Sequence, residues 1–243
     1  IPSEEGIGTW MAILDTQGDV CANLSRRQSL LPLCDLLDQK GDEIFSGSDG
    51  VLLEMDAEEE TVERVFRLAR KYQVSVYGVI SNMTIARERI AYIRQTRCFV
   101  CNKLEAGILF DVDTQQVEPE EMLSLMKTQM RRMQIPCMII TMDKDGSVYA
   151  DLHGQGMSGP DKERQGKARA CVDEKDVRGS DQEGYCPACK AHLVDSTGAG
   201  DAFFAGVSAG LIEGLSLRQA AQIGTEMAAV VIESSGNIYQ PWK

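Results

Sequence analysis

Short apolar runs alternate with amphipathic segments along most of the 243-residue chain. Residues 50–55 form a short apolar run between a glycine and acidic residues, which is typical of a buried parallel strand. In residues 58–72, apolar side chains recur at i, i+3, i+4 and i+7, the pattern of an amphipathic helix. Strands that alternate with helices predict an α/β fold with a mostly parallel sheet. Ligands in such folds lie at the carboxyl ends of strands, so residues that follow strands are the first candidates for a site.

The same criteria predict the remaining elements. The other expected strands cover residues 9–15, 20–23, 74–80, 97–101, 137–142, 146–150 and 192–195. The other expected helices cover residues 30–39, 85–94, 118–134, 199–213 and 217–233. Residues 154–184 are polar and rich in Gly, Lys, Asp and Glu, which predicts an exposed loop or insertion with short extended pieces at most.

Composition and charge narrow the class of protein. Hydrophobic residues make up 43% of the chain and charged residues 26%, which is ordinary for a globular protein. The net charge of −12 predicts repulsion from nucleic acid and from anionic membrane surfaces, so we expect neither as a partner. No apolar run approaches the roughly 20 residues that span a bilayer. Eight cysteines, several of them in apolar runs, favour a reduced, cytoplasmic protein.

The strongest chemical signal is residues 194–206, Val-Asp-Ser-Thr-Gly-Ala-Gly-Asp-Ala-Phe-Phe-Ala-Gly. A strand, a glycine-rich turn and a helix N-terminus together predict an anion site, because backbone N–H groups and the positive end of the helix dipole converge there. Asp201 lies in the first turn of that helix and could take a proton from a hydroxyl that attacks a phosphoryl group. The alternative is that the glycines only form a tight turn and that Asp201 caps the helix.

The whole string resembles the C-terminal signature of the ribokinase-like (PfkB) carbohydrate and nucleoside kinases. This resemblance implies a three-layer α/β/α fold with a mostly parallel central sheet, and transfer of the γ-phosphate of ATP to a hydroxyl group. It implies that Asp201 is the catalytic base. It also implies that the amides of Gly198, Ala199 and Gly200 form the anion hole for that phosphate.

Two further sites follow from the same resemblance. Asp195 and Thr197 are similar to the residues that hold a monovalent cation such as K⁺ in members that need one. Asn102 and Glu105 resemble the family's Asn-x-x-Glu, which binds Mg²⁺ and the phosphates largely through water. The alternative for the second pair is a capping box, with Asn102 as N-cap and Glu105 at the third helical position.

A third match concerns the nucleotide pocket. Residues 139–147 resemble a strand that ends in Thr-x-Gly-x-x-Gly and lines the nucleotide, which implies roles for Thr141 and Gly146. Asp143 stands where that pattern commonly has Gly, and a plain hairpin turn at Gly146 is the alternative. Gly236 resembles the chain reversal beneath the base.

The resemblance covers roughly residues 9–240, and complete family members carry further residues upstream. We therefore expect one kinase domain over residues 1–243 that lacks the N-terminal part, which carries much of the lid and of the substrate site. A sheet edge that is normally paired would then be exposed, and a homodimer could cover it. A sugar or nucleoside is the expected acceptor, with a ribose or pseudouridine type slightly preferred. The alternative is an inactive nucleotide-binding module, which the truncation favours and the intact Asp201 disfavours.

Two Cys-x-x-Cys pairs offer a different hypothesis. Cys98 with Cys101 and Cys186 with Cys189 could supply four thiolates to a structural zinc ion. The first pair lies in a predicted strand, where residues i and i+3 point to opposite faces, and this argues against the zinc site.

Overall fold

A mixed β-sheet with helices on both faces forms the centre of the molecule. The computed structural model describes residues 6–14, 20–82, 84–152 and 177–234. The strands are β1 Thr9–Leu14, β2 Val20–Arg26, β3 Gly50–Glu54, β4 Ser75–Val79, β5 Cys98–Asn102, β6 Cys137–Thr141, β7 Ser147–Asp151, β8 Arg178–Gly179 and β9 Glu183–Cys186. The helices are α1 Pro32–Ser46, α2 Glu59–Tyr72, α3 Ile90–Ile93, α4 Lys103–Phe110, α5 Pro119–Met133, α6 Ala199–Ile212 and α7 Leu217–Ile232.

Seven strands form the central sheet in the order β3-β4-β5-β6-β7-β9-β8. The strands β3 to β6 are mutually parallel, and β7, β9 and β8 continue the sheet with antiparallel pairings. Strands β1 and β2 form a separate antiparallel hairpin. The predicted α/β fold with a mostly parallel core is therefore confirmed, with an antiparallel extension at one edge.

The two faces of the sheet bury two different hydrophobic clusters. Phe99 and Cys101 point to the face that α2 and α5 cover. Their neighbours Cys98 and Val100 point to the opposite face, where α6 and α7 pack. Because successive side chains of a strand alternate between faces, one buried run supplies both clusters. The result is the expected arrangement of three layers.

The predicted helix over residues 85–94 is wrong for most of its length. Only Ile90–Ile93 is helical, and residues 84–89 form turns. The side chain of Asn82 accepts hydrogen bonds from the backbone and the hydroxyl group of Thr84, which favours a turn over a helix. Arg89 also reaches back to the carbonyl of Ala57, and this contact holds the segment against the loop after β3.

The predicted strand over residues 192–195 is also wrong. The backbone amides of Val194 and Asp195 both donate to the carbonyl of Ile232, at the end of α7, rather than to a neighbouring strand. The segment therefore runs beside a helix terminus, and its short apolar sequence does not join a sheet.

Part of the predicted polar loop lies outside the described residues, namely residues 154–176. Its later part supplies the short strand β8 and the start of β9, which pair at the edge of the sheet. Within the described part of the chain, no helix combines the length and the apolar character that crossing a membrane requires.

Candidate functional site

The turn before α6 presents unpaired backbone N–H groups. Gly198 adopts a left-handed conformation, with φ of 83°, and serves as the N-cap of the helix. The amide of Ala199 donates to the carbonyl of Ser196 at 3.2 Å. The amides of Gly200 and Asp201 have no hydrogen-bond partner among the described residues. These two amides lie in the first helical turn, where helices commonly bind anions.

The space beside Gly200 is open. No described atom lies within 4 Å of the position that a β-carbon on this residue would occupy. Asp201 follows directly and is exposed. The turn thus places two unpaired amides next to a solvent-accessible carboxylate.

The direction of α6 places this turn at the carboxyl edge of the parallel strands. A β-carbon on Gly50, the first residue of β3, would contact the side chain of Ile212, the last residue of α6. Because the end of the helix lies near the start of the strand, the helix runs antiparallel to β3. Asp201 therefore lies towards the edge at which β3, β4, β5 and β6 end.

Asp195 and Thr197 are brought together by a short-range hydrogen bond. The Oδ1 atom of Asp195 accepts from the amide of Thr197 at 2.8 Å. Hydrogen bonds from Thr197 lower the pKa of the Asp195 carboxyl group. The carboxylate is therefore held in its charged form beside a threonine hydroxyl group, a donor set that is compatible with a monovalent cation.

Asn102 and Glu105 form the capping box that the sequence offered as an alternative. The Asn102 side chain accepts from the amide of Glu105 at 2.8 Å, and the Glu105 carboxylate accepts from the amide of Asn102 at 2.8 Å. Burial raises the pKa of Glu105, and the negative charge of Asp56 adds to this effect. The capping contact uses the Oε2 atom, so the other carboxylate oxygen can still face a bound metal or water.

The sheet register places Asn102 beside Thr141. These residues end β5 and β6 and are directly paired in the ladder. The motif residues thus meet at one edge, although more than thirty positions separate them in the sequence.

The loop after Thr141 differs from the family pattern at Asp143, which stands where Gly is common. Asp143 has φ of 51°, a left-handed conformation that glycine adopts more readily. The backbone conformation at this position is therefore one that favours Gly. Gly146 has φ of 84°, and a β-carbon there would collide with the backbone of Cys186. The β6–β7 connection is therefore a hairpin with a short 3₁₀ turn. The close approach of Cys186 is enough to explain why residue 146 is a glycine. Gly236 lies outside the described residues.

Sequence reasoning missed a group of polar residues after β3 and β4. Glu54 accepts hydrogen bonds from the hydroxyl group of Ser81 at 2.8 Å and from its amide at 3.3 Å. Burial of the carboxyl group raises the pKa of Glu54 to about 7, although the residue as a whole is exposed. Asp56 accepts from the amide of Asn82 at 3.0 Å and from Arg27 at 2.7 Å.

These residues extend the site across the carboxyl ends of three strands. The negative charge of Asp56 raises the pKa of both Glu54 and Glu105, so the three carboxylates share one region. The available signal was the position of Asp56, Ser81 and Asn82 directly after predicted strands, where ligands bind in this class of fold, whereas Glu54 lay within a predicted strand. Arg27, which directly follows β2, connects the base of the β1–β2 hairpin to the same region through its ion pair with Asp56.

The cysteine pairs do not assemble into a metal site in the described residues. Cys98 and Cys101 point to opposite faces of the sheet, so they cannot bind one ion together. Burial raises the pKa of Cys186 to about 11, which keeps its thiol protonated. No group of three or more His, Cys, Asp or Glu side chains with metal-binding geometry occurs in the described ranges.

Comparison with known proteins identifies the family of the chain. The pfkB family carbohydrate kinase model matches residues 4–243. The chain belongs to the pfkB family. A guanosine-inosine kinase from Exiguobacterium acetylicum is 26% identical over 234 residues, which are 96% of this chain and 68% of that relative.

Solved structures show the same fold at lower identity. A putative sugar kinase from Clostridium perfringens is 20% identical with a TM-score of 0.62, and the match covers 96% of this pfkB chain and 63% of that chain. Arabidopsis thaliana ribokinase, solved with ribose and ATP, is 18% identical with a TM-score of 0.63, over 94% of this chain and 64% of that chain. This chain therefore spans less than two thirds of the length of these two structures.

Proposed function

We propose that this pfkB chain carries the phosphotransfer machinery of an ATP-dependent kinase that acts on a hydroxyl group of a sugar or nucleoside. The observation that carries the proposal is the N-terminus of α6, where the unpaired amides of Gly200 and Asp201 adjoin the exposed Asp201 carboxylate. Preorganised amides stabilise the charge that develops on the transferred phosphoryl group. The amides of Gly198 and Ala199 belong to the same turn, and the proposed anion hole would include that of Ala199 only if it turns from the carbonyl of Ser196 towards the phosphate.

Phosphoryl transfer would give a separate role to each group of residues at the carboxyl edge of the sheet. The acceptor hydroxyl oxygen attacks the γ-phosphorus, the bond to the ADP oxygen breaks, and the hydroxyl proton passes to the Asp201 carboxylate. Asn102 and Glu105 would hold Mg²⁺, since amide and carboxylate oxygens with intervening water suit this ion. The metal would neutralise phosphate charge. Thr141, which adjoins Asn102, would face the nucleotide.

The monovalent cation site is part of the same proposal. Asp195 and Thr197 lie directly before the α6 turn, and their oxygens would hold K⁺ next to the anion hole. A cation there would offset the charge of the bound phosphates. Gly146 and Gly236 remain predicted nucleotide contacts.

The two carboxylates at the carboxyl end of β3 are the proposed acceptor side of the site. Glu54 and Asp56 can accept hydrogen bonds from sugar hydroxyl groups, and their negative charge disfavours an acceptor that already carries phosphate. A purine nucleoside is the first acceptor to test, because the guanosine-inosine kinase matches nearly the whole chain. Ribose and pseudouridine remain predictions from the sequence.

ADP release from Mg-ATP tests the proposal, across a panel of purine nucleosides, pseudouridine, pentoses and hexoses with K⁺ present. Asp201→Asn should lower acceptor-dependent turnover by roughly a hundredfold or more, the usual contribution of a general base. Asp35→Asn is the matched control, because Asp35 is also an exposed carboxylate in the first turn of a helix. Full activity in Asp201→Asn would refute the catalytic role.

An inactive nucleotide-binding module is the second candidate. Saturable ATP binding without ADP release from any acceptor would support this module, whereas acceptor-dependent release would exclude it.

A further inference from the structure

A second pocket lies at the opposite edge of the sheet from Asp201. Its volume is about 470 Å³, and the turns that lead into β4, β5 and β6 form its walls. Arg70, Arg94 and Arg97 all line it. The proposed phosphotransfer machinery lies where these strands end, so that machinery accounts for none of the three arginines.

Two of the arginines are anchored at one end and retain unpaired donors. The Nε atom of Arg94 donates to the carbonyl of Met133 at 2.7 Å. The Nε atom of Arg70 donates to the carbonyl of Phe66 at 3.3 Å. Within the described part of the chain, neither guanidinium group forms an ion pair with a carboxylate. Their terminal N–H groups therefore remain available to a ligand.

The third arginine is more deeply placed and is held by a carboxylate. The Nη1 atom of Arg97 lies 3.3 Å from Oδ2 of Asp151, and the two side chains are 19% and 1% exposed. Helices α2 and α5 also end at this pocket, and each C-terminus contributes roughly half a negative charge. Among the described residues that line the pocket or pair with its lining, three arginines face one carboxylate and two helix ends, a balance of roughly +1.

Helix capping explains only part of this arrangement. It accounts for the Nε contact of Arg94 with the carbonyl of Met133, the last residue of α5, whereas Arg70 donates to Phe66 inside α2. It does not require three arginines to line one open groove, whose volume of about 470 Å³ falls within the range of about 300–1,000 Å³ that is common for ligand sites. Guanidinium groups match the geometry of phosphate oxygens through paired N–H donors.

We propose that this arginine pocket binds a small phosphorylated metabolite that carries at least two negative charges. The remaining polar lining suits such a ligand, because the amide side chains of Gln73, Gln95 and Gln134 supply neutral hydrogen-bonding groups. The pocket is separate from the ATP site, so its occupancy does not depend on the proposed kinase activity.

Isothermal titration with inorganic pyrophosphate tests this proposal on the whole chain. Pyrophosphate can also bind near Asp201, so the informative quantity is the difference between the wild type and the Arg70→Gln/Arg94→Gln variant. The wild type should show one additional saturable site. Each single substitution should weaken that site at least tenfold, since each removes a charge-assisted contact. The single variants also give the answer if the double variant does not fold.

Arg132→Gln is the matched control. Arg132 is an exposed arginine in the last turn of α5, on the same edge of the molecule, but it does not line the pocket. Its loss should leave pyrophosphate binding unchanged. The proposal is overturned if the wild type shows no site beyond those of the double variant, or if Arg132→Gln weakens binding as much as Arg94→Gln. Equally tight binding of citrate would overturn the assignment to phosphorylated ligands.

Discussion

At the scale of single residues, Glu54 makes the fold sensitive to pH. Its pKa is about 7 in the folded chain, compared with an ordinary value of 4.5. The folded state therefore binds the proton more tightly, and the stability that this provides is lost as the pH rises through 7. Glu54→Gln removes the titration, so the variant should gain stability relative to the wild type between pH 5.5 and pH 8. Because the residue is exposed, we expect a modest gain of about 2 °C in Tm.

Thermal unfolding at a series of pH values measures this difference. Glu88→Gln is a suitable control, because it makes the same change at an exposed residue that has no described hydrogen bond to its carboxylate. If the stability of Glu54→Gln follows the same pH dependence as the wild type, the raised pKa of Glu54 is wrong.

Glu105 allows its structural and functional roles to be separated by one substitution. Glutamine can replace glutamate in a capping box, and α7 of this chain already uses Gln219 with Ser216 in that way. Glu105→Gln should therefore keep the helix cap and change Tm by only about 1–2 °C, while removing the charge that would bind hydrated Mg²⁺. Acceptor-dependent turnover should fall at least tenfold, with a higher Mg²⁺ requirement.

The measurements are thermal unfolding and a titration of activity with Mg²⁺. Asn102→Ala removes the cap together with a proposed Mg²⁺-binding group, so it should cost about 1 kcal/mol of stability in addition to lowering turnover. A Glu105→Gln variant with normal turnover and a normal Mg²⁺ response would leave Glu105 as a capping residue alone.

At the scale of secondary-structure elements, two glycines of the turn before α6 can be tested separately, one for phosphate binding and one for the backbone conformation. Gly200 has open space around it, so alanine should fit there and could raise stability by about 0.5–1 kcal/mol. The added methyl group would nevertheless occupy the region beside the free amides. We expect Gly200→Ala to fold normally and to show a higher KM for ATP.

Gly198→Ala should behave differently, because its φ of 83° is strained for alanine and should cost about 1–2 kcal/mol. Urea unfolding and ATP kinetics on both variants distinguish the effects. An unchanged KM for ATP in Gly200→Ala would count against the anion hole.

These elements also show what the sequence could predict. The β5–α4 unit was predictable because its signals are local: a buried apolar run, then an N-cap residue and a capping glutamate. Residues 192–195 look equally apolar, but a strand needs a neighbouring strand to pair with. The amides of this segment donate instead to the carbonyl of Ile232, at the end of α7. The proposed roles of Asn102 and Asp201 came from their resemblance to family motifs, and the cap at Asn102 was the alternative that local signals offered. The contact of Glu54 with Ser81 could not be predicted, because it depends on which strands become neighbours in the sheet.

At the scale of the whole molecule, the open edge of the sheet predicts self-association. Among the described residues, β3 pairs with β4 alone, so one side of its backbone is unpaired. Leu52 on this strand is 46% exposed, and Trp10, Met11 and Leu24 of the β1–β2 hairpin are exposed as well. Unpaired apolar edges of this kind readily associate with another chain. We propose a homodimer whose population rises with protein concentration.

Sedimentation velocity over a wide range of concentrations measures this equilibrium. Leu52→Lys should shift it towards the monomer, because a charged residue on an edge strand opposes pairing with a second strand. Val112→Lys is the matched control, since Val112 is a similarly exposed apolar residue, 39% exposed, that follows α4 and belongs to no strand. A single monomeric species at every concentration would refute the dimer. Equal effects of the two lysine variants would show that general charge repulsion, and not the β3 edge, controls association.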